Sequence, residues 1–305
     1  MKNQLAIVIP YYKIDFFEET LKSISKQTDK NFSLYIGNDT SPNDPLPLIK
    51  EYFEEGKYNY YNYLENLGGK NLAMQWERIL GNVTEDWFQI LGDDDIIAEN
   101  FVEEFYKQID EVEENKINVI KISQAFVDEH TNRYTEFTSY DKNISTEVFW
   151  KNKFIDYHRS SLSEHIFNRN KYNKLGFRKY PLAWHTDDMA VIEYSISNEI
   201  YFISSTHVLV RFTEKSISGD INNDTNNKEK DLASLQFFTD MLNLYKNYIP
   251  KDMIEQLLIR NADKCWELKQ ENKVNLYGVY CYLGQPINLL KVPYKNYILS
   301  HHAKK

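Results

Sequence analysis

The chain has 305 residues, 42% of them hydrophobic, and a net charge of −9, which allows one large core or a core with an appended piece. The acidic balance argues against a wide nucleic-acid footprint, since phosphate binding needs clustered Lys and Arg, and the two cysteines, Cys265 and Cys281, offer neither a disulfide framework nor a cysteine zinc site. No stretch approaches the roughly 20 apolar residues of a membrane-spanning helix, and the first apolar run starts too early and is too short for a secretory signal, so a reducing, cytoplasmic setting is expected.

Two periodicities alternate along the first 125 residues. The nearly continuous apolar run LAIVIP, residues 5–10, reads as a strand covered on both faces. Asp15, with Glu18 three residues on, reads as a capping box for a helix whose core stripe is Phe17, Leu21 and Ile24. FSLYIGND, residues 32–39, alternates apolar and polar positions and reads as a strand with a polar end; SPNDPLP, with three prolines, reads as a loop. A helix at 46–55, an aromatic strand in YNYYNYL, a helix through Leu72, Trp76, Ile79 and Leu80, a strand at WFQIL, a helix over 100–115 and a strand at INVIKI follow in order. Such alternation predicts an α/β fold with a mostly parallel sheet and helices on both faces. Ligands bind such sheets at the carboxyl ends of the strands, and three of those ends, PYYK, GNDTS and GDDD, are unusually polar.

Residues 128–227 are less regular. They hold a short helical stretch near 145–153, a strand pair in EIYFISSTHVLVRF and a polar segment, SGDINNDTNNKEK, expected to be a mobile loop. From 228 the spacing is helical, through Leu232, Leu235, Phe238, Met241, Leu242 and Tyr245, then Ile254, Leu257, Leu258 and Cys265. This C-terminal extension holds 12 Lys and Arg against 8 Asp and Glu, which leaves −13 to residues 1–227. A solvated helical face is the plain reading of that balance, and peripheral contact with an anionic membrane surface the sharper one.

ILGDDDI places Asp93, Asp94 and Asp95 directly behind an apolar strand. Two like charges about 4 Å apart repel by roughly 4 kcal/mol at an effective dielectric near 20, so something must hold the cluster. Hard divalent cations take one or two carboxylates together with substrate phosphates, which makes a metal–diphosphate site one answer. An N-cap for the helix near Phe101 is another, and it accounts for one aspartate of the three. Further on, YPLAWHTDDMAVIEYS reads as a helix start with Thr186 or Asp187 as N-cap ahead of Met189, Val191 and Ile192, a position that keeps an aspartate ionised.

Taken together, these segments resemble family 2 glycosyltransferases, inverting enzymes that use nucleotide-diphospho-sugar donors on the GT-A fold. LAIVIPYYKIDFFEETLKSISKQTDKNFSLYIGNDTS follows the family's opening strand, its first helix ending in a Ser-x-x-x-Gln-Thr segment, and its second strand ending Asp-Asp-x-Ser, which reads Asn38-Asp39-Thr40-Ser41 here. ENLGGKNLA resembles its Asn-x-Gly loop and ILGDDDI its DxD region. Gly176-Phe177 ahead of Thr186-Asp187-Asp188 resembles its Gly-x-Phe turn and acidic pair. The resemblance implies a GT-A domain over 1–227, a Rossmann-like, mixed and mostly parallel sheet flanked by helices. Residues 1–125 would be its nucleotide-sugar-binding half and 126–227 its acceptor side, with 228–305 the helical extension.

The same resemblance implies roles for single residues. Pro10 and Tyr12 would flank the nucleoside, and Asp39 would accept a hydrogen bond from the base, typically uracil. Asn66, Gly68, Lys70 and Asn71 would lie near the ribose or diphosphate. Asp93 and Asp94 would contact the sugar, with Asp94 and Asp95 on Mn²⁺ or Mg²⁺. Arg211 is expected at the diphosphate or in a surface ion pair. Asp187 is the expected base and Asp188 the alternative, while His185, Trp184 and Trp150 read as acceptor-pocket neighbours or, more plainly, as packing. Two positions depart from the pattern. Asn38 replaces an acid, and Gly92 stands where the first Asp of DxD usually sits.

The implied activity is transfer of a sugar, from a UDP-sugar above all, to a glycan or lipid-linked glycan acceptor in bacterial surface polysaccharide synthesis. Two other classes compete with it. Nucleotidyl or phosphoryl transfer would want a glycine-rich or basic phosphate cradle after the first strand, which PYYKIDF does not offer. A sugar-nucleotide-binding protein without catalysis would keep the site and lose turnover.

Overall fold

In the computed structural model, which describes residues 4–196, 198–214, 216–220 and 222–284, the two-sided apolar run becomes the central strand β1 (Leu5–Tyr11), with six of its seven residues buried. It lies in parallel between β2 (Phe32–Asn38) and β4 (Trp87–Ile90), and β2 pairs in parallel with β3 (Asn59–Asn62). The connections are helical: α1 (Phe17–Ser25), α2 (Leu46–Tyr52) and α3 (Leu72–Leu80). Register sets Pro10 opposite Gly37 and Tyr11 opposite Asn38, so the carboxyl ends of β1 and β2 finish level. Leu5, Ile7 and Ile9 join Leu21 and Ile24 of α1, and Phe101 and Phe105 of α4 (Phe101–Glu114), in one buried cluster. Each such side chain contributes roughly 1.5–3 kcal/mol relative to exposure.

Past β4 the sheet becomes mixed. β8 (His165–Asn168) runs antiparallel to both β4 and β6 (Val119–Val127), and β6 is parallel to β9 (Glu199–Arg211). The short β5 (Ile96–Ile97) and β7 (Asn143–Ser145) pair antiparallel with β9. Among the described residues the order is β3-β2-β1-β4-β8-β6-β9-β5, with β7 beside β9. This is the expected α/β architecture.

Three segments differ from expectation. Helix α1 starts at Phe17 with Phe16 in the cap position and no side-chain cap bond, and the Glu18 carboxylate accepts from the Tyr52 hydroxyl at 2.8 Å, so the capping box is not formed. EIYFISSTHVLVRF is one long strand instead of a pair. Its register on β6 jumps from Ile122 opposite Ile203 to Ser123 opposite His207, and this bulge absorbs the intervening residues. In the segment expected to be a loop, Asn223 caps α8 (Asp224–Asp240) by accepting from Asn226 N at 3.1 Å. Asparagine suits a loop and a helix cap alike, and here the cap prevails. Periodicity does not announce β8 or the α6 helix (Arg169–Leu175) behind it, because a four-residue strand is too short to show a period.

The chain divides into two compact units. Residues 1–146, 159–179 and 186–221 form the first, which holds the sheet; residues 147–158, 180–185 and 222–305 form the second. The half expected on the acceptor side, 126–227, therefore contributes to both, and residue 227 falls within α8. In the second unit Trp150, on α5 (Thr146–Phe154), packs on Phe154 and Phe237 with ring centroids 4.4 and 5.8 Å apart. His185 stacks on Phe237 at 4.6 Å. Residues 285–305 of the expected extension lie outside the described residues. Among the described residues no helix is long and apolar enough to cross a membrane.

Candidate functional site

The polar strand ends meet at one edge of the first unit. Beyond β1, the backbone N–H groups of Tyr12 and Lys13 both donate to Asp93 Oδ2, each at 2.7 Å. The Tyr12 carbonyl accepts from the Ser41 hydroxyl at 2.6 Å, and the Tyr11 carbonyl from Asp39 N at 3.0 Å. The ends of β1, β2 and β4 are thus tied to one another, where a parallel sheet offers its ligand edge. Pro10 is half-buried within β1, and the Tyr12 side chain is exposed beside it.

Asp39 is the hub of the loop that joins β3 to α3. Its buried carboxylate accepts from Leu67 N at 2.8 Å, Gly68 N at 2.7 Å and Arg78 Nη2 at 2.7 Å. Residue 68 must be glycine for this approach, since a Cβ there would stand 2.5 Å from Asp39 Oδ2. Asn66 Oδ1 closes the turn by accepting from Gly69 N, Asn71 caps α3 by accepting from Ala73 N at 3.1 Å, and Lys70 pairs with Glu65 at the surface. Sequence reasoning missed Arg78. Its Nη1 donates to the Glu65 carbonyl at 3.0 Å, and its guanidinium lies 3.6 Å over the Tyr63 ring. The only sequence signal was its place on the polar face of an amphipathic helix, where a cation ordinarily meets solvent.

The departure at Asn38 has a local cause. Its buried amide donates to the Tyr60 hydroxyl at 3.1 Å and to Asn62 Oδ1 at 3.2 Å, while its carbonyl oxygen accepts from Ser41 N at 2.9 Å. An ionised carboxylate has no proton to donate to those two partners on β3. Asn38 thus knits β2 to β3.

Helix α4 begins at Phe101 with Asn100 in the cap position and no side-chain cap bond, so none of the three aspartates caps it. Asp95, buried, accepts at Oδ1 from the Arg211 backbone N–H at 2.8 Å and at Oδ2 from the Ser163 hydroxyl. Burial, reinforced by Asp94, pushes the Asp93 carboxyl up to about 7. Burial and the neighbouring Asp95 push Asp94 to about 7 as well. Burial also raises Asp95, to about 6, against the lowering bonds from Ser163 and Arg211.

Gly92 explains how the cluster fits. A Cβ there would stand 2.8 Å from Asp95 Oδ2 and 3.0 Å from Asp94 Oδ1, so these two oxygens converge on the volume a side chain would fill. They are hard donors, and two carboxylates completed by substrate phosphates suit Mg²⁺ or Mn²⁺. The residues present therefore fit such a cation through Asp94 and Asp95, with Asp93 committed at Oδ2 to the backbone after β1. Among the described residues no group of three or more His, Cys, Asp or Glu side chains is arranged to hold a metal ion. Gly92→Ala is expected to destabilise the protein by about 1–3 kcal/mol through overpacking between the carboxylates. An unchanged urea midpoint would show that they part freely.

Arg211 turns inward. Its Nε donates to the Asp94 carbonyl at 3.0 Å, Nη1 to the Asp128 carbonyl at 2.7 Å, and Nη2 to Glu19 Oε2 at 2.7 Å and to the Thr131 hydroxyl at 3.1 Å. Its side chain is fully buried, so it braces the aspartate turn against α1.

Asp187 and Asp188 occupy the first turn of α7 (Thr186–Ser195). Thr186, at the position where the family often carries an acid, is buried and donates its hydroxyl to the Arg178 carbonyl at 2.9 Å. Arg178 is itself held by Glu193 Oε1 through Nε at 2.9 Å and Nη2 at 2.7 Å. Asp187 is half-buried and Asp188 is buried.

A sequence profile described as Glycosyl transferase family 2 matches residues 6–180, more than half of the chain. The protein named Glycosyltransferase GlyA, from Streptococcus pneumoniae serotype 4, is 28% identical over 108 residues, which are 35% of this chain and 15% of that relative's length. The fold is similar to the crystal structure of S. aureus TarS 1–349 in complex with UDP-GlcNAc, with a TM-score of 0.63 and 16% identity over 87% of this chain and 73% of that one. It is also similar to TarS 1–349 in complex with UDP, with a TM-score of 0.56 and 15% identity over 86% of this chain and 80% of that one. At such identities the structural likeness speaks for the GT-A fold alone. With its sequence profile and its sheet in agreement, the chain belongs to glycosyl transferase family 2.

Proposed function

We propose that this chain transfers a sugar from a UDP-sugar to an acceptor hydroxyl with inversion at the anomeric carbon. One observation carries the proposal: Asp94 and Asp95 turn oxygens onto the space over Gly92, at the edge where β1, β2 and β4 end together. Asp39, Pro10 and Tyr12 would serve the nucleoside there, and the loop of Asn66, Gly68, Lys70 and Asn71 the ribose and diphosphate. Asp93 would contact the sugar. Arg211 would act on the diphosphate side through the turn it braces. Mn²⁺ or Mg²⁺, held by Asp94 and Asp95, would supply positive charge to the leaving diphosphate.

Asp187 would take the acceptor proton as the acceptor oxygen bonds to the anomeric carbon. The bond from that carbon to the diphosphate oxygen breaks on the opposite face, and the nucleoside diphosphate leaves. Asp188 is the less accessible alternative. The UDP and UDP-GlcNAc in the TarS structures support a UDP-sugar donor. The family resemblance supports a glycan or lipid-linked glycan acceptor and a place in surface polysaccharide synthesis, and the basic balance of residues 228–305 supports peripheral contact with the inner face of the membrane. The resemblance also supports a GT-A domain over 1–227 with a helical extension over 228–305.

Thermal melts with UDP and Mn²⁺ test the proposal. UDP with Mn²⁺ is expected to raise the melting temperature, UDP alone much less, and EDTA to reverse the gain. Carboxyls whose folded pKa lies above the usual range stabilise the empty protein at low pH. That contribution is lost as pH rises through about 6 to 7. A cation requires the ionised form, so the Mn²⁺ shift should be larger at pH 8 than at pH 6. No UDP shift under any of these conditions sinks the proposal. Binding without hydrolysis or transfer of any labelled UDP-sugar would favour the silent binding protein.

A further inference from the structure

We propose that Ser163 is a positioning residue that sets the Asp95 carboxylate over Gly92, beside that of Asp94, and that a buried Lys121–Glu164 ion pair anchors it. This rests on the reading of Asp94 and Asp95 as the cation's ligands. Ser163 sits in the single turn Leu162–Glu164 that leads into β8 and is itself buried. Its carbonyl accepts from Gln89 Nε2 of β4 at 2.6 Å. Its hydroxyl oxygen accepts from Gly92 N at 3.0 Å and donates its proton to Asp95 Oδ2.

The polarity of that relay has one solution. The Gly92 N–H can only donate, so the hydroxyl oxygen accepts from it and the hydroxyl proton is directed to Asp95 Oδ2. With Oδ2 fixed by Ser163 and Oδ1 by the Arg211 backbone, the plane of the Asp95 carboxylate is set. Asp95 Oδ2 is then the atom nearest the volume over Gly92, with Asp94 Oδ1 next to it. The hydroxyl therefore fixes both the turn's backbone and the oxygen that faces a cation.

The anchor lies one residue on. The Glu164 and Lys121 side chains, essentially without solvent exposure, form an ion pair between the turn and β6. Ser160 joins it, donating to Glu164 Oε1 at 3.0 Å and accepting from Lys121 Nζ at 3.3 Å. A buried pair of this kind adds little net stability, and its best-attested use is to fix register. Here the register is that of Ser163 against the aspartate turn.

The test compares wild type with Ser163→Ala and with Ser163→Cys, which preserves the volume should the alanine variant misfold. Mn²⁺ affinity in the presence of UDP is read from the paramagnetic resonance of the free ion. Amide hydrogen exchange over residues 91–96 is read separately in EDTA. Both variants are expected to melt cooperatively, to bind Mn²⁺ about 10- to 100-fold more weakly, and to exchange faster over 91–96. A folded variant with wild-type Mn²⁺ affinity, or with unchanged exchange over 91–96, overturns the proposal. A wild-type protein that binds no Mn²⁺, with variants that still loosen 91–96, would keep Ser163 as the brace and overturn the metal reading alone.

Discussion

Asp187→Asn is expected to lower the rate of sugar transfer by about 10²- to 10⁴-fold, the usual worth of a positioned general base, while UDP binding stays at the wild-type level. Asp187 is the more accessible of two acids in the first turn of α7, and its neighbour Asp188 is buried. The turn is stiffened from outside, by the Thr186 hydroxyl on the Arg178 carbonyl and by the Glu193 carboxylate on the Arg178 guanidinium. Asparagine keeps the shape of the side chain and forfeits at most about 0.3–1 kcal/mol of interaction with the helix terminus, so the variant should fold. Single-turnover measurements with a labelled UDP-sugar decide the matter. Wild-type turnover in Asp187→Asn, or a loss confined to Asp188→Asn, would remove Asp187 from the role of base.

Lys121→Met is expected to destabilise the protein by about 3–5 kcal/mol, the usual result of breaking a buried ion pair from one side. The Lys121 and Glu164 side chains are 1% and 0% exposed, so removal of the ammonium takes a full positive charge from beside a carboxylate in the interior. The double variant Lys121→Met/Glu164→Leu removes both charges and is expected to regain most of the loss. Urea midpoints of the single and double variants measure the difference. A single variant within 1 kcal/mol of wild type would show that the pair bears little on the fold, and Ser163 would lose its anchor.

The legible parts of this molecule are those whose cause is local. LAIVIP is buried on both faces and so is apolar throughout, and α3 and α4 are amphipathic, so strand and helix periods show through. That the strand ends form a polar cluster was visible because aspartates behind an apolar run are costly anywhere. What those aspartates bind was not visible, since Ser163 stands 68 residues from Asp95 and Arg211 stands 116 away. Arg78 and Asn38 were obscured for the same reason: each finds its partners across the sheet or the loop. Local signals also misled where one residue type serves two ends. Asn223 begins a helix in a segment composed like a loop, and Glu18 bonds Tyr52 in place of the backbone it was expected to cap.

The space over Gly92 also ties substitutions at this site to one another. An aspartate at 92, the commoner pattern in the family, would thrust its side chain into the volume held by the Asp94 and Asp95 oxygens and add a fourth negative charge to three. Such a side chain requires the Asp95 and Asp94 carboxylates to shift. The residue at 92 therefore shares one volume with the carboxylates of 94 and 95, and substitutions at these positions are expected to be non-additive.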